Sequence, residues 1–232
     1  MRWVKYKNRN CASALRWMPS RVGIASAASG QSADSNLDRL VHGLRTNGYA
    51  VSPQFVPAAL VARLRSELIL TERNSGLRAA TVGQGQESRR QADIRNDRIC
   101  WIDNDCSSAA LAECLVHFDQ MRQALNKKLF LGLFEFECHF SLYPPGARYA
   151  RHLDQFRNDD RRRVSCVLYL NDDWEENDGG ALRLYRGENR GCQDFVPYGG
   201  TLVAFLSAQF EHEVLPARRP RYSLTGWFKV RG

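Results

Sequence analysis

His152 and Asp154 flank one apolar residue in YARHLDQF, just after the turn-forming YPPG at 143–146. In extended backbone, residues i and i+2 point to the same side, so an imidazole and a carboxylate would converge on one point. A lone His-x-Asp serves equally well as a surface hydrogen bond, and it needs a third partner before it signals a metal. His212, in FEHEVLPA, is the candidate third ligand, placed at the start of another predicted strand. Two imidazoles and one carboxylate on one face of an octahedral iron leave three positions open. That chemistry suits O2 together with a small chelating molecule.

Arg221 narrows what the molecule is. In RYSLTGWFKV read as a strand, Arg221, Ser223, Thr225 and Trp227 share one face, and Tyr222, Leu224, Gly226, Phe228 and Val230 share the other. A guanidinium turned into the interior is costly without an anion, and a carboxylate gripped in a fork is the natural partner. A dicarboxylic keto acid could chelate the iron at one end and meet Arg221 at the other, which describes 2-oxoglutarate. Tyr143 in FECHFSLY and Tyr169 in RVSCVLYLN fit the same pocket, where a phenol can donate to a carboxylate while its ring packs on the wall.

The elements that must position these groups follow from hydrophobic period. SNLDRLVHGLRTNG puts Leu37, Leu40, Val41 and Leu44 on one helical face, with Ser35 as the expected cap and Asn47-Gly48 as the close. A short strand, YAVSPQF, follows. VPAALVARLRSELIL is a second helix, with Pro57 in its first turn. Residues 73–97 are polar and Gly-dotted and read as a long mobile loop. SSAALAECLVHFDQMRQALNKKLFL is the strongest helix, with Leu111, Leu115, Phe118, Leu125 and Leu129 on one side. After residue 134 the period changes to two, in FECHFSLY, RVSCVLYLN, GALRLYR, DFVPYGGTLVAFLS and RYSLTGWFKV. Helices followed by strands, without βαβ alternation, predict an α+β domain whose sheet folds back on itself as a barrel or jelly roll.

Composition bounds the rest. Hydrophobic content of 44% with 25% charged residues is that of a globular domain, and no stretch reaches the roughly 18 apolar residues of a membrane span. Seven scattered cysteines without CxxC spacing read as free thiols in a reducing, cytoplasmic setting rather than as a disulfide framework or zinc site. Net charge is +8, but residues 1–36 hold six basic residues against Asp34 and so carry five of those charges. The pI is therefore no argument for nucleic-acid binding by the domain. The stretch 1–36 reads as a basic, disordered extension, with Met18 a second candidate start, and 37–232 as the folded domain.

YPPGARYARHLDQF, RRRVSCVLYLNDDW, DGGALRLY, HEVLPA and RYSLTGWF resemble the prolyl 4-hydroxylase branch of the Fe(II)/2-oxoglutarate dioxygenases, especially the hypoxia-type protein prolyl hydroxylases and their bacterial relatives. The resemblance spans about residues 37–230, is densest from Phe136 on, and extends to IRNDRICWID. It implies a double-stranded β-helix (jelly-roll) core with N-terminal helices on one sheet. It implies His152, Asp154 and His212 as Fe(II) ligands, and Arg221, Tyr169 and Thr225 at the far carboxylate of 2-oxoglutarate. Tyr143 would lie near the chelating end. Trp227, Arg162, Arg95 and Asp97 fall where relatives meet the substrate or order the loop over it. O2 is the second cosubstrate, ascorbate the reductant, and a protein with an exposed proline the partner. Asn96 departs from the Gly that relatives often show before this Asp. A dioxygenase of the same fold acting on nucleic acid or a small molecule, and a non-catalytic metal-dependent sensing module, are the rival readings.

Overall fold

The computed structural model describes residues 30–82, 89–102, 108–156, 158–187 and 191–232, with side chains from residue 36 onward. Residues 1–29 of the predicted extension, residues 83–88 of the predicted loop, and Cys11 and Cys106 lie outside the described residues. Three helices, α1 (Gly30–Asn47), α2 (Ala58–Arg73) and α3 (Ala109–Leu129), pack on a large antiparallel sheet. Its seven strands run in the order β1 (Tyr49–Ser52), β9 (Leu202–Leu206), β6 (Arg162–Tyr169), β11 (Arg221–Lys229), β4 (Glu135–Tyr143), β3 (Arg98–Trp101), β2 (Arg78–Ala79). A smaller antiparallel sheet, β5 (Tyr149–His152), β10 (His212–Val214), β7 (Leu182–Tyr185), β8 (Cys192–Phe195), faces it.

Two apolar clusters follow from this layering. The larger joins Leu40, Leu44, Leu60, Leu64, Leu111 and Phe118 of the helices to Phe136, Phe140, Val164, Leu168, Leu224 and Phe228 of the large sheet. The smaller lies between the sheets and includes Tyr143, Val167, Tyr169, Leu184, Phe205 and Val214. Both depend on strands β4, β6 and β11, which are hydrogen-bonded side by side. Alternate residues of each, such as Phe136, Cys138, Phe140 and Leu142 of β4, turn to the helices. The intervening ones turn to the other sheet, and the site is built from that second face.

Four sequence expectations change. α1 begins at Gly30, so Ser35 lies inside it and does not cap it. Pro57 is the N-cap of α2, with extended ψ of 146°, and does not sit in the first turn. Residues 73–97 are not all loop, because β2 pairs with β3, Val82 bridges to Arg89 and Arg95 bridges to Tyr149. DFVPYGGTLVAFLS is two strands in different sheets, β8 and β9. The break falls at Gly199, where a Cβ would sit 2.0 Å from the Asn171 carbonyl oxygen, followed by Gly200 at a φ of +80°.

Candidate active site

His152 ends β5 and His212 begins β10, and the two are directly opposite in the antiparallel pair. Cross-strand partners bring their side chains together on one face. Asp154 follows two residues after His152, as its turn leaves the strand. Its Oδ1 is 3.5 Å from His152 Nε2 and its Oδ2 is 3.5 Å from His212 Nε2. All three ligand atoms lie within 4.8 Å of one another. Donors on adjacent corners of a six-coordinate metal, with bonds of about 2.1 Å, are about 3 Å apart, so little movement closes the set around an ion.

The backbone fixes the ring tautomers. His152 Nδ1 is 2.8 Å from the Ala150 carbonyl and His212 Nδ1 is 3.1 Å from that of Phe210. A carbonyl only accepts, so each Nδ1 carries the proton and each Nε2 offers a lone pair inward. Burial pushes the His212 pKa down to about 4, which keeps the ring neutral. Burial works against the Asp154 carboxylate, but His212, His152 and Arg162 outweigh it and hold the carboxyl well below the usual range. Two imidazole nitrogens and one carboxylate are a donor set that fits a divalent cation. Tyr149 stacks on His152 with ring centroids 3.6 Å apart, and Phe205 meets His212 edge-on at 4.7 Å.

The triad opens on a cavity of about 140 Å³ between the sheets. Arg221, from the first position of β11, lines it and is only 1% exposed. Its Nε donates to the Gly180 carbonyl at 2.9 Å, and its Cζ lies 5.1 Å from the Tyr143 ring centre and 5.0 Å from that of Tyr169. Gly180 sits at a φ of +68°, and a Cβ there would press on Arg221 Cδ at 3.2 Å. The Nη2 of Arg221 and the Tyr169 hydroxyl are buried without a hydrogen-bond partner. A buried cation with an unused fork nitrogen beside an unused phenol is expensive unless an anion joins them. Burial raises the Tyr169 pKa to about 12 against the pull of Arg221, so its hydroxyl stays a donor.

At the other end of the cavity, Arg162 lies on the Trp227 ring at 3.8 Å and is paired with Glu137 at 2.7 Å. Arg95 lies over Tyr149 at 4.3 Å and is paired with Asp97 at 2.7 Å. Trp101 meets His139 edge-on at 4.8 Å and packs against Trp227.

The structure therefore brings His152, Asp154, His212, Arg221, Tyr143, Thr225, Trp227, Arg162 and Arg95 to one cavity. Tyr169 and Asp97 do not line it; each stands one layer back, against Arg221 and Arg95 respectively. Sequence reasoning missed Tyr149, Glu137, Trp101 and the Gly180 carbonyl. Glu137 had a signal, since it shares the period-two face of His139, Ser141 and Tyr143. Tyr149 and Gly180 had none, because their roles depend on register and turn geometry.

Residues 138–229 match the model of the 2OG-Fe(II) oxygenase superfamily. A prolyl-4-hydroxylase of Pseudomonas putida is 47% identical, with a TM-score of 0.76 over 84% of this chain and 100% of that one. A prolyl hydroxylase of Trichoplax adhaerens, solved with a hypoxia inducible factor oxygen degradation domain peptide fragment, is 26% identical, with a TM-score of 0.77 over 86% of this chain and 91% of that one. Human Egl nine homolog 1 is 34% identical over 64% of this chain and 36% of its own length, so the chain spans only about a third of that relative. With the triad and the buried arginine in one cavity, and full-length likeness to a bacterial relative, the chain belongs to the prolyl 4-hydroxylase family of the 2OG-Fe(II) oxygenase superfamily.

Proposed function

We propose that this chain is an Fe(II)- and 2-oxoglutarate-dependent dioxygenase that hydroxylates a prolyl residue of a protein, with release of succinate and CO2. The observation that carries it is the pairing of a three-ligand cluster with a buried arginine whose Nη2 has no partner, both opening on one cavity. His152, Asp154 and His212 would hold the iron. Arg221, with Tyr169 and Thr225, would receive the distal carboxylate of 2-oxoglutarate, and Tyr143 would lie towards its chelating end. Iron with 2-oxoglutarate and O2 supplies the oxidation, in which one oxygen atom goes to succinate and the other replaces a prolyl C–H with C–OH. The chain itself binds, orients and excludes water. The Nδ1–H bonds of both histidines keep their lone pairs aimed inward, and Arg221 fixes one end of the cosubstrate. Trp227 and Tyr149 give the cavity aromatic walls, which suit a substrate segment that is apolar at the reacting residue.

The same reading makes the two sheets a double-stranded β-helix, supported by the helix-backed large sheet facing a four-stranded one. The partner is a protein with an exposed proline, in keeping with the peptide held by the Trichoplax relative. Ascorbate is the expected reductant. We place the chain in the cytoplasm on the strength of five free cysteines among the described residues. No helix among those residues is long and apolar enough to cross a membrane.

The test is incubation of purified protein with Fe(II), 2-oxoglutarate, ascorbate, air and a degenerate peptide library with one fixed proline. Succinate should form, and mass spectrometry should find one added oxygen on the proline. Succinate formation that the library does not stimulate, with every proline unmodified, would overturn the prolyl assignment.

A further inference from the structure

Among the described residues, the arginines lining the cavity are Arg95, Arg162 and Arg221. Arg221 faces the cosubstrate end. The other two share a plan but not a geometry, since Arg95 meets both oxygens of its carboxylate and Arg162 only one. Arg162 gives Nε and Nη2 to the single oxygen Glu137 Oε1 at 2.8 and 2.7 Å and lies on Trp227. Arg95 gives Nε and Nη2 to Asp97 at 2.8 and 2.7 Å and lies on Tyr149. Each guanidinium is pressed on an aromatic face, and each has its fork filled by a buried carboxylate.

A free fork at a cavity mouth would seize a carboxylate or phosphate. A filled fork presents no net charge and keeps only single N–H groups for neutral acceptors such as main-chain carbonyls. Glu137 is 6% exposed and does not line the cavity, so whatever it does there it does through Arg162. It also accepts from Lys229 Nζ at 3.3 Å, and Lys229 pairs with Glu135 at 2.9 Å. Glu135, Lys229, Glu137 and Arg162 thus form a quartet of zero net charge. The remaining Nη1 of Arg162 reaches the Asp154 carbonyl at 3.4 Å, which ties the quartet to the backbone of the metal-ligand turn.

We propose that Glu137 is a positioning and specificity-determining residue: it locks Arg162 flat on Trp227 and cancels its charge, so that the site takes an uncharged prolyl segment and not one with acidic residues beside the proline. The proposal rests on the prolyl hydroxylase reading for its substrate.

The probe is the degenerate proline-centred library, with hydroxylated products sequenced by mass spectrometry. Wild type should show no enrichment of Asp or Glu next to the modified proline. Glu137→Gln leaves the quartet one positive charge in excess, and its products should shift towards Asp and Glu by at least about threefold, the scale of a partly screened charge pair. Arg162→Gln leaves a negative excess and should shift them towards Lys and Arg. The double variant restores neutrality and should return to the wild-type composition. A lesion that merely loosens the fold would lower yield without these signed swings. Unchanged composition in Glu137→Gln overturns the proposal, and if that variant does not fold, unchanged composition in Arg162→Gln does so. Should wild type modify no library peptide, the prolyl reading fails separately. Hydrogen exchange of the Arg162 Nε–H, followed by NMR in the Zn(II)-loaded full chain, then decides the role of Glu137. At least about tenfold faster exchange in Glu137→Gln, equivalent to about 1.4 kcal/mol of lost protection, upholds the lock, and an equal rate overturns it.

Discussion

The clearest quantitative consequence concerns Arg221. Its side chain is 1% exposed, with one nitrogen bonded to the Gly180 carbonyl and Nη2 unpartnered beside the equally unpartnered Tyr169 hydroxyl. A dicarboxylate that meets this group gains a charge-assisted bond in a place already desolvated, worth roughly 1.5–3 kcal/mol, or about 10- to 150-fold in affinity. Arg221→Lys keeps the charge but has one nitrogen where two are needed, one for Gly180 and one for the ligand. Arg221→Ala removes both. The assay is isothermal titration of 2-oxoglutarate into anaerobic Mn(II)-loaded protein, with Mn(II) affinity measured in parallel. Both variants should bind 2-oxoglutarate more weakly by that factor, Ala at the upper end, while still binding Mn(II), because Arg221 is not a ligand. The ligand should also raise the melting temperature of wild type much more than that of either variant, since only the native site pairs the buried cation. Unchanged 2-oxoglutarate affinity in both variants would refute the reasoning and place the cosubstrate elsewhere.

Asp154→Ala should abolish succinate formation and weaken Mn(II) binding, because it removes the carboxylate that both histidines face; succinate at the wild-type rate from the purified variant would dismiss the metal assignment. Burial, aided by Arg95, pulls the His139 pKa down to about 4 from an ordinary 6.5, so the neutral ring belongs to the fold and protonation favours the unfolded chain. Its contribution is therefore complete above pH 6.5 and lost as pH falls towards 4, by about 3 kcal/mol. His139→Gln should flatten that part of the urea-denaturation profile, and an unaltered slope would count against it. Leu40→Ala, at a position of α1 with no exposure, should cost about 2–5 kcal/mol in chemical denaturation; no measurable cost would mean that α1 does not pack on the sheet.

What could be read from the sequence depended on how far a pattern ran. β4 and β11 are nine residues each and β6 is eight, long enough for alternation to declare both faces. The strands of the small sheet have three or four residues, too few for a period to emerge from their flanks. α1 begins before the Ser35 cap that the sequence suggests, because its first turns, GQSADSN, contain no large apolar residue and an apolar period starts only at Leu37. The triad was accessible because His-x-Asp is local and His212 stands at a strand start, so the single long-range step was to join two short segments.

Glu137 and Arg162 show where such reading stops. They are 25 residues apart on strands that are not neighbours, since β11 lies between β4 and β6. Trp227 of β11 stands opposite Glu137 on one side and Ser165 on the other, and Arg162 reaches back across the indole to the carboxylate. That contact exists only when both registers are known, and a slip of one residue in either would send Glu137 or Trp227 to the helix side. The faces of β4, β6 and β11 thus carry two kinds of information. The helix-facing residues need only be apolar and of suitable size, a property visible residue by residue, so the fold was legible. The cavity-facing residues act in cross-strand combinations, so the metal and cosubstrate groups, which differ sharply in type from their surroundings, stood out. The charge pairing that tunes them became visible only with the register.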